Sequence, residues 1–417
     1  MTFRNASFAL VLCLCLSGPF LLLVAQRGLD LALPSWLTTE DSTYLEGSKP
    51  EADIRGNLSL SSIASGTLQT ELETEVGNYI PCKGIAQLTN ARLQRTAIAL
   101  SSDLFRWDAY PTFYGSKYVY VPKDDVLLGL PGKATPGEVK KLQAGLEAYN
   151  SFASRHGNLD IAMYCVMNSD YLVDSPSSQY KSNPMNYSTL NAELLEKLVG
   201  FRVIPANMPY EDYIEQWYTT DHHWNIDGAY RAYCDIVEQS PEWGSNTLIQ
   251  RGGGLTISDA QFRGSVSRSA LYDKEKYDTF FDYEFALPDY EVTIDGKPYD
   301  QSWLCQIDQA PQIVKSGNAY TNYYVKLYHA NWGELVIRNP SSENDNSLLL
   351  VADSYSNCID RLFASHFQTT YVFDARYNTE TLDSYIESHP DITNVLFLMN
   401  PGSLLRDASL TALDETE

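Results

Sequence analysis

Leu348-Leu349-Leu350-Val351-Ala352-Asp353-Ser354-Tyr355-Ser356 is the stretch that decides the fold. Four consecutive aliphatic residues read as a strand buried on both faces, and the small and polar residues after them end it in a turn. Downstream, the pattern predicts a helix over 356–367, a strand over 370–373, a helix over 379–388 and a strand over 395–399. A βαβαβ run of this kind implies a parallel sheet with covering helices. Upstream, Thr135-Pro136-Gly137-Glu138 opens a helix, with Thr135 as cap, Pro136 at the first helical position and Glu138 closing the capping box. Val139, Leu142, Leu146, Tyr149 and Phe152 share its apolar face, Gly157 ends it, and a buried strand follows over 159–167. A second such unit has a helix over 193–199, a stop at Gly200 and a short strand over 201–204. From about 251 to 330 the texture changes to short alternating stretches, with Asp295-Gly296 marking a tight hairpin inside Val292 to Tyr299. The expected fold class is therefore α/β: a parallel sheet flanked by helices, carrying a β-rich insertion over 251–330.

The chain has 417 residues, enough for one large domain or two ordinary ones. Its formal net charge of −23 and the lack of a Lys/Arg cluster argue against a nucleic-acid partner, which wants a basic face. Tyrosine is abundant at 29, beside 7 Trp; flat apolar rings suit sugar surfaces, although core and sheet packing accounts for most of them. The apolar run from Ala6 to Ala25 is as long as the about 20 residues that cross a bilayer. Residues 1–27 read as a signal peptide or signal anchor. Ser17-Gly18-Pro19 interrupts the run and Leu23-Val24-Ala25 is a poor cleavage site, which favours an uncleaved anchor with the bulk of the chain outside the cell. Residues 28–78, rich in Ser, Thr, Leu and Glu, read as a linker or stalk, and 79–417 as the catalytic domain. Cys82, Cys165, Cys234, Cys305 and Cys358 are widely spread with no zinc-type spacing; they read as small buried residues that admit one or two disulfides.

Chemistry is concentrated in two places. Tyr218-Thr219-Thr220-Asp221-His222-His223-Trp224 holds two of the six histidines, ahead of helical spacing over 227–237. Asp221 and His223, two apart on an extended segment, point to the same side. The carboxylate then accepts from His223 Nδ1 and leaves Nε2 free as the base that a hydroxyl nucleophile needs. Ser354 is that hydroxyl. It falls at the carboxyl end of a strand, where functional groups gather in open α/β sheets, and the helix expected after it would aim N–H groups at a developing oxyanion. The plain alternative is that Asp353 or Ser354 only caps that helix.

The run Thr220-Asp221-His222-His223-Trp224, then Gly228-Ala229-Tyr230, Asp353-Ser354-Tyr355-Ser356-Asn357 and Asp374-Ala375-Arg376-Tyr377, resembles the DHHW family in matching order from about Tyr79 to the end. That family is related to the extracytoplasmic SGNH-like proteins of alginate O-acetylation. The resemblance implies an SGNH-hydrolase-like, flavodoxin-like sheet, with Asp221, His223 and Ser354 as the triad and His222 at a variable position. It also carries over the order of the motifs, Asp-x-His-Trp ahead of Asp-Ser, which reverses that of ordinary SGNH esterases. Two departures stand out: Ala352 where relatives have Gly, and Asn225 where Thr is common. Besides the Ser354 amide, the oxyanion and substrate candidates are Gly264, Asn331, Arg376 and Tyr377, with Tyr355 and Trp224 beside the triad. The activity implied is serine-dependent O-acetyl transfer onto a cell-surface or secreted polysaccharide, with no cofactor and no metal. The partners implied are the polysaccharide acceptor and an acetyl donor delivered by a multi-span membrane O-acyltransferase.

Rival readings start from the same residues. Water as acceptor would make the protein an acetylesterase, and a silent triad would leave a polysaccharide-binding scaffold. Asp221-His222-His223 also matches a metal phosphoesterase motif superficially, but the Asp clusters of that chemistry are missing. Finally, the histidines could be buried structural residues.

Overall fold

In the computed structural model the described residues are 18, 31, 52–78, 83–130, 135–169, 172, 174–180, 192–206, 208–241, 243, 247–272, 277–316, 321–400, 402 and 413. The chain divides into two compact units, residues 1–116 with 265–275 and residues 117–264 with 276–417. The first unit contains helices α1 (Leu60–Ser65), α2 (Thr67–Asn78) and α3 (Lys83–Phe105), strand β1 (Tyr110–Pro111), and a short helix at Ser265–Ser269. The segment expected as a stalk thus includes two helices. Helix α3 gave no single-faced signal because Ile98 and Ala91 are buried on one side while Leu93, Leu100 and Leu104 are exposed on another. The expected anchor lies outside the described residues except Gly18, and no described helix is long and apolar enough to cross a membrane.

The second unit begins with the hairpin β2 (Tyr118–Val121) and β3 (Val126–Gly129), helix α4 (Pro136–Arg155), and strands β4 (Asp160–Cys165) and β5 (Arg202–Ile204). Helices α5 (Tyr210–Gln216) and α6 (Ile226–Glu238) follow, then β6 (Arg251–Phe262), β7 (Asp278–Phe285), β8 (Glu291–Ile294) and β9 (Lys297–Tyr299). Counting the short helix of the first unit as α7, the chain continues with α8 (Ala310–Ser316), α9 (Tyr323–Leu327), β10 (Glu334–Arg338) and β11 (Ser347–Ala352). It ends with α10 (Asp360–Phe363), β12 (Thr369–Phe373), α11 (Leu382–Ser388) and β13 (Ile392–Met399). Within 251–330, β6 and β7 form a two-stranded sheet among the described residues, while β8 and β9 extend the main sheet and the rest includes the helices α8 and α9.

The main sheet has eight strands in the order β5-β4-β13-β11-β12-β10-β8-β9. Its first five strands are mutually parallel, with β11 at Leu349 flanked by Tyr371 of β12 and Val395 of β13. The β10, β8 and β9 edge is antiparallel. This is a mixed α/β architecture dominated by parallel pairing, as the apolar strands require. Leu349 and Val351 join Met163, Phe397 and the α4 residues Leu142, Tyr149 and Phe152 in one core, while Leu348 and Leu350 on the opposite face are also fully buried. Phe397 meets Tyr149 edge-on at 5.4 Å. Each such side chain withdrawn from water contributes about 1.5–3 kcal/mol, so covering both faces outweighs the propensity of any single element. The β8–β9 hairpin turns at Asp295 and Gly296, both with positive φ, which is the geometry that Asp-Gly favours.

One expected element is much shorter than its sequence suggests. In place of a helix over 356–367, α10 covers four residues and continues as a 3₁₀ turn over Ala364–His366. Ser356 donates its amide and hydroxyl back to the Asp353 carbonyl, and Ile359 and Asp360 donate to the Ser356 carbonyl, so a series of tight turns replaces the first helical turn. The four described cysteines Cys165, Cys234, Cys305 and Cys358 are free, so none of them is in a disulfide.

Candidate active site

The Asp-His run is held as a closed loop. Trp217 and Trp224 form an isolated antiparallel bridge, the Tyr218 amide donates to the His223 carbonyl and the Asn225 amide to the Gln216 carbonyl. Asn225 then caps α6, accepting from the amides of Asp227 at 2.9 Å and Gly228 at 3.2 Å, which explains a short polar residue at that position. On the opposite side, the buried Asp278 carboxylate accepts from the amides and hydroxyls of both Thr219 and Thr220. Burial pushes the Asp278 carboxyl above the usual range despite these donors. Nothing in the local sequence pointed to Asp278, 58 residues from Thr220.

Within the loop, Asp221 and His223 are buried side by side. Asp221 Oδ1 lies 2.6 Å from His223 Nδ1 and accepts the His223 amide at 3.1 Å. A carboxylate there fixes the proton on Nδ1, leaving Nε2 as an acceptor. Nε2 is 2.8 Å from Ser354 Oγ, across 131 residues of sequence. The three side chains expected from the sequence are therefore in one hydrogen-bonded line. The Tyr324 ring lies flat against the His223 imidazole, with centroids 4.0 Å apart and planes 10° apart. Its hydroxyl is 3.3 Å from the Tyr355 carbonyl oxygen. Tyr324 was not singled out in the sequence, where it is one of 29 tyrosines that mostly read as core and sheet packing.

Ser354 lies two residues past the end of β11, and the intervening Asp353 faces groups just beyond the neighbouring strands. Asp353 accepts the Tyr355 amide on Oδ1, and on Oδ2 it accepts the amide and Nδ2 of Asn400, just beyond β13. Burial raises its carboxyl above the ordinary value, outweighing these donors. Just beyond β12, Arg376 forks onto the Asp374 carboxylate at 2.9 and 2.6 Å. Because α10 starts only at Asp360 and Ile359 makes no side-chain cap, neither Asp353 nor Ser354 caps a helix, and the helix end expected to face the oxyanion is four residues or more away.

The remaining sequence candidates divide clearly. Trp224 donates from Nε1 to the Tyr355 carbonyl at 2.9 Å, and the Tyr355 hydroxyl lies 2.7 Å from the His222 carbonyl oxygen, so both rings tie the His223 loop to the Ser354 turn. Gly264 packs against Asp221: a Cβ there would lie 2.1 Å from Oδ2, and its amide donates to Thr220 Oγ1. That amide supports the Asp221 loop and is not turned to an oxyanion. Asn331 accepts from Asn357 Nδ2 and lines a small cavity with Asp353, Ser356 and Asn357. Arg376 is held by Asp374, and Tyr377 is well exposed. Behind Asn357, the buried His329 and Asp360 form a second His–carboxylate pair at 3.0 Å. As to metals, the donor atoms of Asp221, His222 and His223 all lie within 4.8 Å of one another.

No family model and no curated protein matches the sequence. Solved structures do match. A DHHW family protein from Eubacterium siraeum DSM 15702 is similar over 73% of this chain and 96% of its own, with a TM-score of 0.55 at 20% identity. The chain shares the fold of that DHHW family protein. Bacillus cereus PatB1, in a structure with a sulfonyl adduct, is similar over 70% of this chain and 98% of its own, with a TM-score of 0.56 at 19% identity. The likeness in fold agrees with the resemblance read from the motifs.

Proposed function

We propose that this chain is an SGNH-like serine acyltransferase that acetylates hydroxyl groups of a cell-surface or secreted polysaccharide through Ser354, His223 and Asp221. The observation that carries the proposal is the line from Asp221 Oδ1 through His223 to Ser354 Oγ, with spacings of 2.6 and 2.8 Å. In the first half-reaction Ser354 Oγ attacks the acyl carbonyl while His223 Nε2 takes its proton, and Asp221 stabilises the resulting imidazolium. The donor's leaving group departs with that proton. An acceptor hydroxyl then gives its proton to Nε2, attacks the acyl-serine and leaves with the acetyl group, returning the proton to Ser354. The Ser354 amide supplies one donor to the oxyanion. The site of action is outside the cytoplasm, with the Ala6–Ala25 run as anchor and the acetyl donor delivered at the membrane.

Two further features support this reading. The PatB1 structure carries a sulfonyl adduct, the product a sulfonyl reagent leaves on an activated nucleophile. In addition, the flat Tyr324 ring under His223 and the depth of Asp221 keep water from the relay, which strengthens its charge interactions. The test is labelling of the full chain with an aryl sulfonyl fluoride, mapped by mass spectrometry. Modification is expected at Ser354, absent in Ser354→Ala, and slowed by about 100-fold or more in His223→Ala. Labelling of Ser354 at an unchanged rate in His223→Ala would refute the relay. Transfer is separated from hydrolysis by following acetyl from p-nitrophenyl acetate onto an added oligosaccharide.

A further inference from the structure

His222 takes no part in the relay, yet its ring lies against the His223 ring with centroids 3.9 Å apart, and its Nδ1 is 3.5 Å from Asp221 Oδ1. We propose that Asp221, His222 and His223 form a zinc-binding site that switches the acyl-transfer centre off. This rests on the acyl-transfer reading and adds a regulator to it.

The argument is one of donor type, distance and access. Two imidazoles and a carboxylate are a favoured donor set for zinc, completed by water at the fourth position. Zinc bonds of about 2.0–2.2 Å place neighbouring donors roughly 3–3.5 Å apart. Here His222 Nδ1 and Asp221 Oδ1 are at 3.5 Å, His223 Nδ1 and Asp221 Oδ1 at 2.6 Å, and all three donors fall within 4.8 Å of one another. The His222–Asp221 pair already has this spacing, and admitting the ion means opening the Asp221–His223 pair from 2.6 Å to it, which replaces their hydrogen bond by two bonds to the metal. Asp221 and His223 are about 95% buried and held in place, whereas His222 is 47% exposed and gives the ion its way in from solvent.

The consequence follows from the proton on His223. In the resting relay that proton sits on Nδ1, facing Asp221. A zinc ion bound through Nδ1 displaces it, and it moves to Nε2; no electron is transferred and no bond to the serine forms. Nε2–H then donates to Ser354 Oγ, the outer hydrogen bond by which metal-bound imidazoles are usually steadied. A nitrogen that already carries a proton cannot take the one from Ser354. The nucleophile therefore stays a hydroxyl while the metal is bound.

The test uses the full chain stripped with EDTA, titrated with Zn²⁺ against a chromophoric zinc chelator, in parallel with turnover of p-nitrophenyl acetate. A single zinc ion per chain is expected at this site, with turnover falling as it binds and returning on addition of EDTA. His222→Ala should retain the metal-free turnover and need about tenfold or more zinc for both binding and inhibition. Equal zinc sensitivity in His222→Ala overturns the proposal. So does turnover that rises with zinc, which would make the metal a catalyst. Zinc bound as expected in a chain without any esterase turnover instead points to failure of the acyl-transfer reading, because the chelator titration does not depend on catalysis. In the absence of a His222-dependent binding step the zinc site itself is refuted.

Discussion

Gly264→Ala is expected to disable the relay without touching any of its three members. An alanine Cβ at this position would lie 2.1 Å from Asp221 Oδ2, 2.2 Å from its Cβ and 2.5 Å from its Cγ. Asp221 cannot escape by a rotamer change, because its own Cβ is among the atoms hit. Moving Oδ2 from 2.1 Å out to ordinary contact at 3.4 Å is a displacement of about 1.3 Å, far more than the 2.6 Å bond to His223 Nδ1 can absorb. Misplacement by about 1 Å costs on the order of 100-fold in rate, and loss of the correct imidazole tautomer up to about 10,000-fold. Overpacking should add about 1–3 kcal/mol of destabilisation. The assay is kcat/KM for p-nitrophenyl acetate, beside a urea unfolding curve to establish that the variant is folded. A 100-fold to 10,000-fold loss is expected, and the same change made in an Asp221→Asn background should cost little more in rate, since the interaction it disturbs is already gone. A folded Gly264→Ala variant with kcat/KM within about twofold of the parent would refute the reasoning, because it would mean that Asp221 does not hold His223 through this contact.

Other expectations are more local. Tyr324→Leu removes the ring stacked on His223 and should lower kcat/KM by about three- to tenfold, the worth of a ring pair of about 0.5–1.5 kcal/mol, while Tyr324→Phe keeps most of the rate; equal losses in both would assign the effect to the hydroxyl. Asn225→Ala leaves two amides of α6 uncapped and should cost about 1 kcal/mol in urea unfolding; an unchanged midpoint would contradict the capping role. Asp383 gives a pH signature: burial pushes its carboxyl up, but the hydrogen bonds from His156 and Arg155 outweigh this and hold it below the usual range. Its contribution is therefore present above the unfolded value near pH 4 and lost as pH falls through the depressed folded value. Unfolding free energies of the parent and Asp383→Asn should converge as pH falls below about 4; parallel curves would contradict the assignment.

How far the sequence could be read depended on the range of the interactions involved. The apolar run at Leu348–Val351 was legible because a strand covered on both faces needs no alternation, and α6 because Ala229, Tyr230, Tyr233 and Val237 fall at helical spacing and are buried. The shortening of the helix after Ser354 was not legible, since Ser356 satisfies helix and turn equally well until its hydroxyl finds the Asp353 carbonyl. Helix α3 was missed because its apolar residues point both inward and outward. In the site, Asp221, His223 and Ser354 were readable from chemistry and order. Asp278 and Tyr324 were not, because each acts through a contact made only by folding. Gly264 was noticed for its possible N–H and proves important for its missing side chain.

Beside the His223–Ser354 contact, two bonds between the His223 loop and the Ser354 turn run in opposite directions. Trp224 reaches to the backbone of residue 355, and the Tyr355 side chain reaches back to the backbone of residue 222. An interlock of this type leaves neither segment an independent way to open, since releasing one forces the other to give up a buried partner. The two loops should therefore behave as one local-unfolding unit despite their distance in sequence, with amides such as those of Tyr218 and Asn225 exchanging with solvent at a common rate and tracking those of Ser356 and Ile359. The line from Asp221 through His223 to Ser354 is thus kept in register by a shared opening event, and any substitution that frees either loop loosens His223 and Ser354 together.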